Sequence, residues 1–295
     1  VTAQRQPGST FKLFVYTEAM NEGLTPCDKR RDEYISMQVY DKKKKEMTTW
    51  TPTNANGSFS GDSIPLKSAF AKSINSVAVR LGQELGIKNI IETAQKMGIE
   101  SPLDDNPALA LGSSDVNLLE LAGAYCTIAN NGMHHRPTLV TRIVDSDGNE
   151  VFVDKSTSEQ VIPYKSAFFM QKLLMSGTHD GGGTSVSLSA AEYAGNSFRD
   201  TDWGGKTGTT NNHSDAWFVG VSPNLVVGAW VGGEYRSIHF RTGALGQGAR
   251  TALPICGYFI HSVMEDPAFQ KYHAKFQTPN DESITKDMYD CSPYY

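Results

Sequence analysis

The segment Gln4-Arg5-Gln6-Pro7-Gly8-Ser9-Thr10-Phe11-Lys12 combines a turn with the start of a helix. Pro7-Gly8 is typical of a turn, and Ser9 is a favourable N-cap for the apolar-periodic residues that follow it. Lys12 comes three residues after Ser9, so on a helix both side chains share one face, with Cβ atoms roughly 5–6 Å apart. A lysine in the first turn lies at the positive end of the helix dipole, which favours its neutral form. A neutral amine beside a hydroxyl can accept its proton and activate it as a nucleophile.

A Ser-x-x-Lys pattern carries little information alone, because a capping serine next to a solvated lysine is the simpler interpretation. The chain also contains a second copy at Ser283 and Lys286. The motifs downstream distinguish the two copies. Ser9 is followed by Ser73-Ile74-Asn75 and then by Lys206-Thr207-Gly208, whereas neither pattern follows Ser283.

Two further segments match or nearly match the other two motifs. Ser222-Pro223-Asn224 also fits Ser-x-Asn, and Arg241-Thr242-Gly243 almost repeats the third motif. Their contexts differ, because Lys206 begins a strand-like pattern and Ser73 lies at the junction of two predicted helices. The ordered set that starts at Ser9 is the one typical of serine acyl-transfer sites.

The residue types in this set suit acyl transfer. Ser9 at a helix start is an exposed nucleophile near backbone N–H donors, and Lys12 is its predicted base. Ser73 supplies a second hydroxyl that can pass a proton to the leaving group, and Asn75 can hold an amide of the substrate. Lys206 is assigned to substrate binding, because its positive charge favours a substrate carboxylate, and it also favours the neutral form of Lys12.

The predicted strand supplies a binding edge. Thr207 and Thr209 point to the same face because side chains alternate along a strand, and their hydroxyls suit a terminal carboxylate. Gly208 has no side chain, so a substrate can approach the edge closely. The backbone N–H groups of Ser9 and Thr209 are the predicted oxyanion donors.

Together with three other segments, these motifs resemble the transpeptidase domain of class A penicillin-binding proteins. The segments that carry the resemblance are Arg5-Gln6-Pro7-Gly8-Ser9-Thr10-Phe11-Lys12, Ser73-Ile74-Asn75, Leu109-Ala110-Leu111-Gly112, Lys206-Thr207-Gly208-Thr209-Thr210, Asp215-Ala216-Trp217-Phe218-Val219-Gly220 and Ala252-Leu253-Pro254-Ile255. The resemblance implies a mixed α/β (α+β) fold, in which helices flank an antiparallel sheet. It also implies D,D-transpeptidation, in which Ser9 attacks the penultimate D-Ala carbonyl of a peptidoglycan stem peptide.

The resemblance extends to ligands, partners and location. It implies that β-lactam antibiotics acylate Ser9, that no metal or organic cofactor takes part, and that the domain works in the bacterial envelope outside the cytoplasmic membrane. Relatives carry a membrane anchor and a glycosyltransferase domain, and neither pattern is found in this sequence. The family also places a strand of the central sheet before the serine, where this sequence has only eight residues. We therefore expect the sheet to lack its N-terminal strand.

Three alternative functions use the same motifs. A D,D-carboxypeptidase or a serine β-lactamase would hand the acyl group to water, and a non-catalytic sensor would bind β-lactams or peptides without turnover. The Glu-x-x-Leu-Asn pattern, which supplies the deacylating glutamate of class A β-lactamases, is absent from the sequence. This absence weakens the β-lactamase alternative and leaves the other two open.

Composition places the chain among soluble globular proteins, with 39% hydrophobic and 20% charged residues. Its net charge of −5 argues against a nucleic-acid surface. The basic run 42–45 has acidic neighbours and predicts a solvated loop or hairpin tip. No apolar run is long enough to cross a bilayer. Residues 1–266 are interpreted as the transpeptidase domain and 267–295 as a C-terminal extension.

The four cysteines show no metal-ligand spacing, and neither do the histidines. Cys126 and Cys256 lie in apolar helical patterns, so both are expected to be buried. Cys27 and Cys291 are possible disulfide partners, although spacing does not establish the pairing.

Periodicity and turn signals predict the remaining elements. Helices are expected over about 9–21, after Pro65, from 76, over 88–97, from a Ser114-Asp115 cap to 128, from Pro163 and over 249–264. Hairpins are expected at 36–50 and 139–153, and strands at 206–210, 216–221 and 225–231. Residues 24–61 form a long polar region that is expected to flank the cleft. Trp203 and Tyr235 are weaker candidates for its walls. Asn211 and His213 could reach the cleft, but a plain hairpin turn is the favoured interpretation of these two residues.

Overall fold

A computed structural model of the protein describes residues 3–41 and 44–291. The helices are α1 (Lys12–Asn21), α2 (Leu66–Ala71), α3 (Asn75–Leu85), α4 (Ile87–Lys96), α5 (Leu118–Ala129), α6 (Tyr164–His179), α7 (Gly243–Gly246) and α8 (Ala252–Glu265). Short 3₁₀ turns occur at Gly8–Phe11, Pro107–Leu111, Val186–Ser189, Gly195–Arg199, Pro267–Tyr272 and Lys286–Met288. Lys42 and Lys43 of the basic run lie outside the described residues, whereas Lys44 and Lys45 form an exposed turn.

The strands are β1 (Lys29–Arg31), β2 (Met37–Asp41), β3 (Glu46–Trp50), β4 (Ser63–Pro65), β5 (Met133–His134), β6 (Arg142–Val144), β7 (Glu150–Val153), β8 (Glu159–Gln160), β9 (Gly204–Thr209), β10 (Asp215–Val221) and β11 (Val226–Gly232). The main sheet is antiparallel with strand order β11-β10-β9. The predicted hairpins are present as β2–β3 and β6–β7. The expected mixed fold, with helices around an antiparallel sheet, is confirmed.

Strand β10 separates two apolar cores, as the near-continuous apolar run predicts. Trp217, Val219 and Val221 face the larger core, which also contains α1, α5 and α6. Phe218 points the other way, into the core under α8. The alternation follows from the two-residue period of a strand. Helices therefore cover both faces of the sheet.

Helix α1 runs through the larger core instead of lying on the surface. Every residue from Lys12 to Met20 is buried, so the helix has no solvent face. A helix that is apolar on nearly all sides is expected in this position. The exceptions are Lys12, Thr17 and Glu18, whose polar groups are also buried; a carboxylate oxygen of Glu18 accepts from Thr93 at 2.6 Å.

Two local predictions are wrong. The cap of α5 is Asn117, whose side chain accepts from the backbone N–H of Glu120 at 2.9 Å, and not Ser114 or Asp115. Because α5 begins at Leu118, two residues later than the pattern suggests, the nearer asparagine takes this role. Cys126 is exposed, whereas Cys256 is buried as expected.

The segment after Asp266 packs back onto the domain. Phe276, Ile284, Met288 and Tyr289 rest against the larger core. The segment ends in a disulfide between Cys27 and Cys291, residues separated by 264 positions. The structure thus resolves the pairing that spacing left open.

The outer edge of β11 has no strand partner among residues 3–41 and 44–291. Within the same residues, no helix combines the length and the apolar character needed to cross a membrane.

Candidate active site

Ser9 lies in the 3₁₀ turn Gly8–Phe11, immediately before α1. Its predicted role as a helix cap is wrong, because no side chain caps this turn and α1 begins only at Lys12. Because the chain forms a 3₁₀ turn from Gly8 onwards, Ser9 lies within the first turn and not before it. Its hydroxyl therefore accepts no capping hydrogen bond from a backbone N–H group. Ser9 instead lines a cleft between the turn, the α2–α3 junction and β9.

Gly8 and Gly208 let the turn approach β9 backbone to backbone, and Gly112 lets the end of the Pro107–Leu111 turn approach Gly8 in the same way. A Cβ atom on Gly8, which has a φ of +54°, would lie 2.8 Å from the carbonyl oxygen of Thr209. A Cβ atom on Gly208 would overlap the carbonyl oxygen of Pro7, and one on Gly112 would overlap that of Gly8. A side chain on Gly8 or Gly208 would separate the turn from the strand, and one on Gly112 would separate it from the Pro107–Leu111 turn. Gly208 therefore acts inside the fold, facing the turn that carries the serine.

Lys12 is fully buried, and its Nζ atom donates to three acceptors. These are the carbonyl oxygen of Ser73 at 2.7 Å, the Oγ atom of Ser73 at 3.2 Å and the Oδ1 atom of Asn75 at 2.7 Å. Burial, followed by repulsion from Lys206, lowers the pKa of Lys12 well below its usual value. The predicted influence of Lys206 on this group is confirmed in direction.

Lys206 reaches the same hydroxyl from β9. Its Nζ atom donates to Oγ of Ser73 at 2.9 Å and lies 5.6 Å from the ring centre of Phe70. The side chain is buried, and burial lowers its pKa to about 7. Ser73 itself adopts a φ of +57° at the α2–α3 junction. This conformation is costly for a residue with a side chain and is maintained by its contacts with both lysines.

The edge of β9 that does not pair with β10 carries the remaining predicted groups, which are the N–H of Thr209 and the hydroxyls of Thr207 and Thr209. The N–H of Thr210 donates to the carbonyl of Asp215 on β10 at 3.0 Å. Because N–H groups alternate in direction along a strand, the N–H of Thr209 points away from β10 towards the cleft. The Oγ1 atom of Thr209 accepts from the N–H of Gly248 at 3.1 Å, and Thr207 donates to Thr184 at 2.8 Å.

The structure brings most of the predicted residues to one cleft of about 540 Å³. Ser9, Ser73, Asn75, Thr207 and Thr209 line it. Lys12, Lys206 and Gly208 are buried below the residues that line the cleft. Both lysines contact one lining residue, Ser73, by donating to its hydroxyl. No hydrogen bond between Lys12 and Ser9 is found among the described residues; the Lys12 amine is directed to Ser73 and Asn75.

Other cleft residues divide into expected and unexpected ones. Asn211 and His213 lie in the connection between β9 and β10, which agrees with the favoured hairpin turn, and they also line the cleft. Trp203 is buried in the second core, and Tyr235 lies outside the lining. The cleft residues that sequence reasoning missed are Lys72, Thr184, Gln247, Ala249 and the loop residues 53–55. For the loop, the long polar region 24–61 is a general signal, and Lys72 is adjacent to Ser73 in the chain. Thr184, Gln247 and Ala249 come from separate elements, so chain position gives no signal for them.

The near-copies of the motifs lie elsewhere. Ser283 and Lys286 belong to the C-terminal segment, where Lys286 is 78% exposed and pairs with Asp290 at 3.4 Å. The hydroxyl of Ser222 donates to the carbonyl of Leu225 in the β10–β11 turn. Within the described ranges, no group of three or more His, Cys, Asp or Glu residues is arranged to hold a metal ion.

Comparison with protein families matches residues 1–231 to "Penicillin binding protein transpeptidase domain". The chain is 34% identical over 238 residues to penicillin-binding protein 2D of Bacillus subtilis, a match that covers 80% of this chain and 33% of that protein. It is 33% identical over 261 residues to penicillin-binding protein 1A of Neisseria meningitidis, covering 86% of this chain and 31% of the relative. The chain thus spans about a third of the length of these relatives.

Solved structures show the same fold. The crystal structure of penicillin-binding protein 1A from Haemophilus influenzae superposes with a TM-score of 0.80 at 26% identity, covering 94% of this chain and 44% of that one. PonA1 of Mycobacterium tuberculosis, in complex with penicillin V, superposes with a TM-score of 0.75 at 23% identity, covering 94% and 72%.

Proposed function

Because the chain belongs to the penicillin-binding protein transpeptidase family, we propose that it is a D,D-transpeptidase that acts through a Ser9 acyl-enzyme. The observation that carries the proposal is the shared contact of Lys12 and Lys206 with the hydroxyl of Ser73, in the cleft that Ser9 lines. Residues 1–266 would form the catalytic domain, and residues 267–295 an extension attached to it.

In the first step, the Oγ atom of Ser9 attacks the carbonyl carbon of the penultimate D-Ala. Neutral Lys12 accepts the hydroxyl proton as the Oγ–C bond forms. An amine with two hydrogens needs only two of the three acceptors around Nζ, so its lone pair becomes free when the lysine is neutral. The lowered pKa of Lys12 makes this neutral form more accessible than it is for an ordinary lysine.

Collapse of the tetrahedral intermediate breaks the C–N bond and releases the terminal D-Ala. The hydroxyl of Ser73 accepts from both lysines, which leaves its own O–H free to donate to the leaving nitrogen. A proton then passes from Lys12 to Ser73. The backbone N–H groups of Ser9 and Thr209 bind the oxyanion. An amine of a second stem peptide takes the place of the leaving group in the reverse sequence.

In this proposal, side chains at the edge of β9 bind the substrate. The hydroxyl of Thr209 accepts from Gly248 and keeps its own O–H for the terminal carboxylate, and Thr207 would donate to that carboxylate in place of Thr184. Lys206 supplies positive potential beneath them. Asn75 offers its amide to the peptide backbone. A β-lactam presents a carbonyl and a carboxylate with the same relative placement, so it would acylate Ser9 and inhibit the enzyme. The chemistry uses no metal or organic cofactor.

These substrates place the protein in the bacterial cell envelope, on the outer side of the cytoplasmic membrane. The disulfide between Cys27 and Cys291 supports that location, because such bonds persist in oxidising compartments. By analogy with its relatives, the parent polypeptide would join this domain to a membrane anchor and a glycosyltransferase domain.

Labelling with a fluorescent penicillin tests the nucleophile. The wild-type protein should form a covalent adduct, and Ser9→Ala should form none. Ser283→Ala is the matched control, because it removes the serine of the second Ser-x-x-Lys copy and should label like the wild type. Labelling that persists in Ser9→Ala would refute the assignment, and an unlabelled wild type would refute the proposed acyl-enzyme.

The fate of the acyl group separates the alternatives. With a D-Ala-D-Ala stem peptide and an amine acceptor, a transpeptidase should give the amide product by mass spectrometry. A D,D-carboxypeptidase would give only the hydrolysed peptide, and a sensor would release no D-Ala. A penicilloyl adduct that decays within seconds would instead identify a β-lactamase.

A further inference from the structure

Asn54 uses its complete hydrogen-bonding capacity inside the protein. The side chain is 5% exposed and lies in the loop between β3 and β4. Its Oδ1 atom accepts from the backbone N–H of Asn75 at 2.9 Å and of Ser76 at 3.1 Å. Its Nδ2 atom donates to Oδ1 of Asp32 at 2.7 Å and to the carbonyl of Ser58 at 2.9 Å. A side-chain amide has two donors and two acceptor sites, so none is left over.

This amide caps α3 from a distant part of the chain. Ile74, the residue before the helix, has no side chain that can cap it. The first N–H groups of a helix need acceptors from outside the helix. Asn54 supplies the acceptor for two of them, although it lies 21 and 22 positions earlier in the sequence.

Asp32 fixes the orientation of this amide. The carboxylate is 3% exposed, and it also accepts from Oγ of Ser76 at 2.6 Å and from the N–H of Ser60 at 2.9 Å. Burial raises its pKa, but the combined hydrogen bonds outweigh burial and lower the pKa below its usual value. A carboxylate accepts and a backbone N–H donates, so only one orientation of the Asn54 amide satisfies both sides.

The same loop also holds the side chain of Asn75. Its Nδ2 atom donates to the carbonyl of Thr53 at 2.8 Å, while its Oδ1 atom accepts from Lys12. The residue is therefore held through its backbone by Asn54 and through its side chain by Thr53. Ser73, two residues earlier, keeps its left-handed conformation between these anchors and the end of α2.

We infer that Asn54, oriented by Asp32, is a positioning residue for acylation that holds Ser73 and Asn75 in place against Lys12. The inference rests on the proposed function of the cleft. Asn54 reaches the reaction through the Ser73–Asn75 turn, so its loss should alter the chemical step more than the binding of the ligand.

Acylation by a fluorescent penicillin, measured over a range of concentrations, separates these two steps. Asn54→Ala should lower the limiting acylation rate by about 100-fold, the effect expected of a displacement near 1 Å at a reacting group. The concentration for half-maximal rate should change far less. Asn56→Ala is the matched control, because Asn56 is an exposed asparagine of the same loop.

A paired substitution tests the orientation by Asp32. In Asn54→Asp, the introduced carboxylate still accepts from the two helix amides but faces the charge of Asp32. Adding Asp32→Asn places an amide N–H donor opposite the introduced carboxylate, so the two side chains can again form a hydrogen bond. The double variant should recover the acylation rate by about tenfold over Asn54→Asp alone, a coupling typical of contacting residues. Equal rates in the two variants would refute the role of Asp32.

Misfolding is measured separately, by circular dichroism and by the final extent of labelling. A lower rate at full labelling supports positioning. A proportional loss of folded protein and of labelling, with an unchanged rate in the remainder, would show that Asn54 only stabilises the fold and would overturn the inference. Failure of the wild type to label would instead count against the proposed function.

Discussion

Lys12 and Lys206 approach Ser73 from two sides, and each donates to its hydroxyl, at 3.2 and 2.9 Å. Both side chains are buried, so each raises the cost of charging the other. Neither lysine has a carboxylate among its hydrogen-bond partners in the described part of the chain. Burial therefore favours the neutral form of each amine, and the neutral amine is the form that can accept a proton from a hydroxyl.

Removing the charge of Lys206 should change the pH dependence of acylation. Repulsion from Lys206 contributes to the lowered pKa of Lys12, after burial. In Lys206→Met, the pKa of Lys12 should rise, so the increase of acylation rate with pH should move to higher pH. Stopped-flow acylation over the neutral and alkaline range measures this shift. An increase that stays in place or moves to lower pH contradicts the assignment of Lys12 as base.

The free energy of unfolding should depend on pH through the same lysine. In the folded protein the pKa of Lys206 is about 7, against an ordinary value of 10.5. Between these values the unfolded chain binds more protons, so stability should rise with pH. Lys206→Met should flatten this rise in urea titrations, whereas Lys88→Met, on the exposed surface of α4, should leave it intact. If the free energy of unfolding rises equally with pH in both variants, groups other than Lys206 cause the rise.

Gly208→Ala should separate the serine turn from β9. The added methyl group would overlap the carbonyl oxygen of Pro7 and lie 3.0 Å from Cγ2 of Thr10. Backbone atoms cannot move aside cheaply, so we expect a loss of about 1–3 kcal/mol in stability. Penicillin labelling should also become slower. Gly181→Ala, where nothing lies within 4 Å, is the control, and similar behaviour of the two variants would refute the close approach.

The ion pair between Arg5 and Asp215 should anchor the segment before the serine. Nε of Arg5 lies 2.7 Å from Oδ1 of Asp215, whose side chain is completely buried. Removal of one partner leaves an uncompensated buried charge, so Arg5→Ala should cost about 3–5 kcal/mol. Arg31→Ala, from an exposed pair with Glu33, should cost less than about 1 kcal/mol. Equal midpoints of urea unfolding would contradict this difference.

The disulfide should make stability sensitive to reductant. Cys27→Ser opens a link between residues 264 positions apart and should lower the free energy of unfolding by about 3–5 kcal/mol. Reductant should destabilise the wild type by a similar amount and leave Cys27→Ser unchanged. Cys126→Ser, which removes an exposed free thiol, is the control. A wild type that is insensitive to reductant would argue against the bond.

Much of the fold could be predicted because it depends on local patterns. The near-continuous apolar run of β10 and the turn signals around residues 146–149 predict the strands and hairpins to within a few residues. The cap of α5 was misplaced because several polar residues in a row can cap a helix, and only the packing selects Asn117. Cys126 was assigned to the core for a similar reason, since an apolar helix does not reveal which of its faces is covered.

The sequence by itself determined which chemical groups are available and in which order, because Ser9, Lys12, Ser73 and Lys206 stand in motifs that few other proteins combine. Only the tertiary structure decided how they meet. Contacts between residues far apart in the chain depend on how the elements pack, so periodicity does not report them. The convergence of two buried lysines on Ser73 is one such contact, and the support of that turn by Asn54 is another.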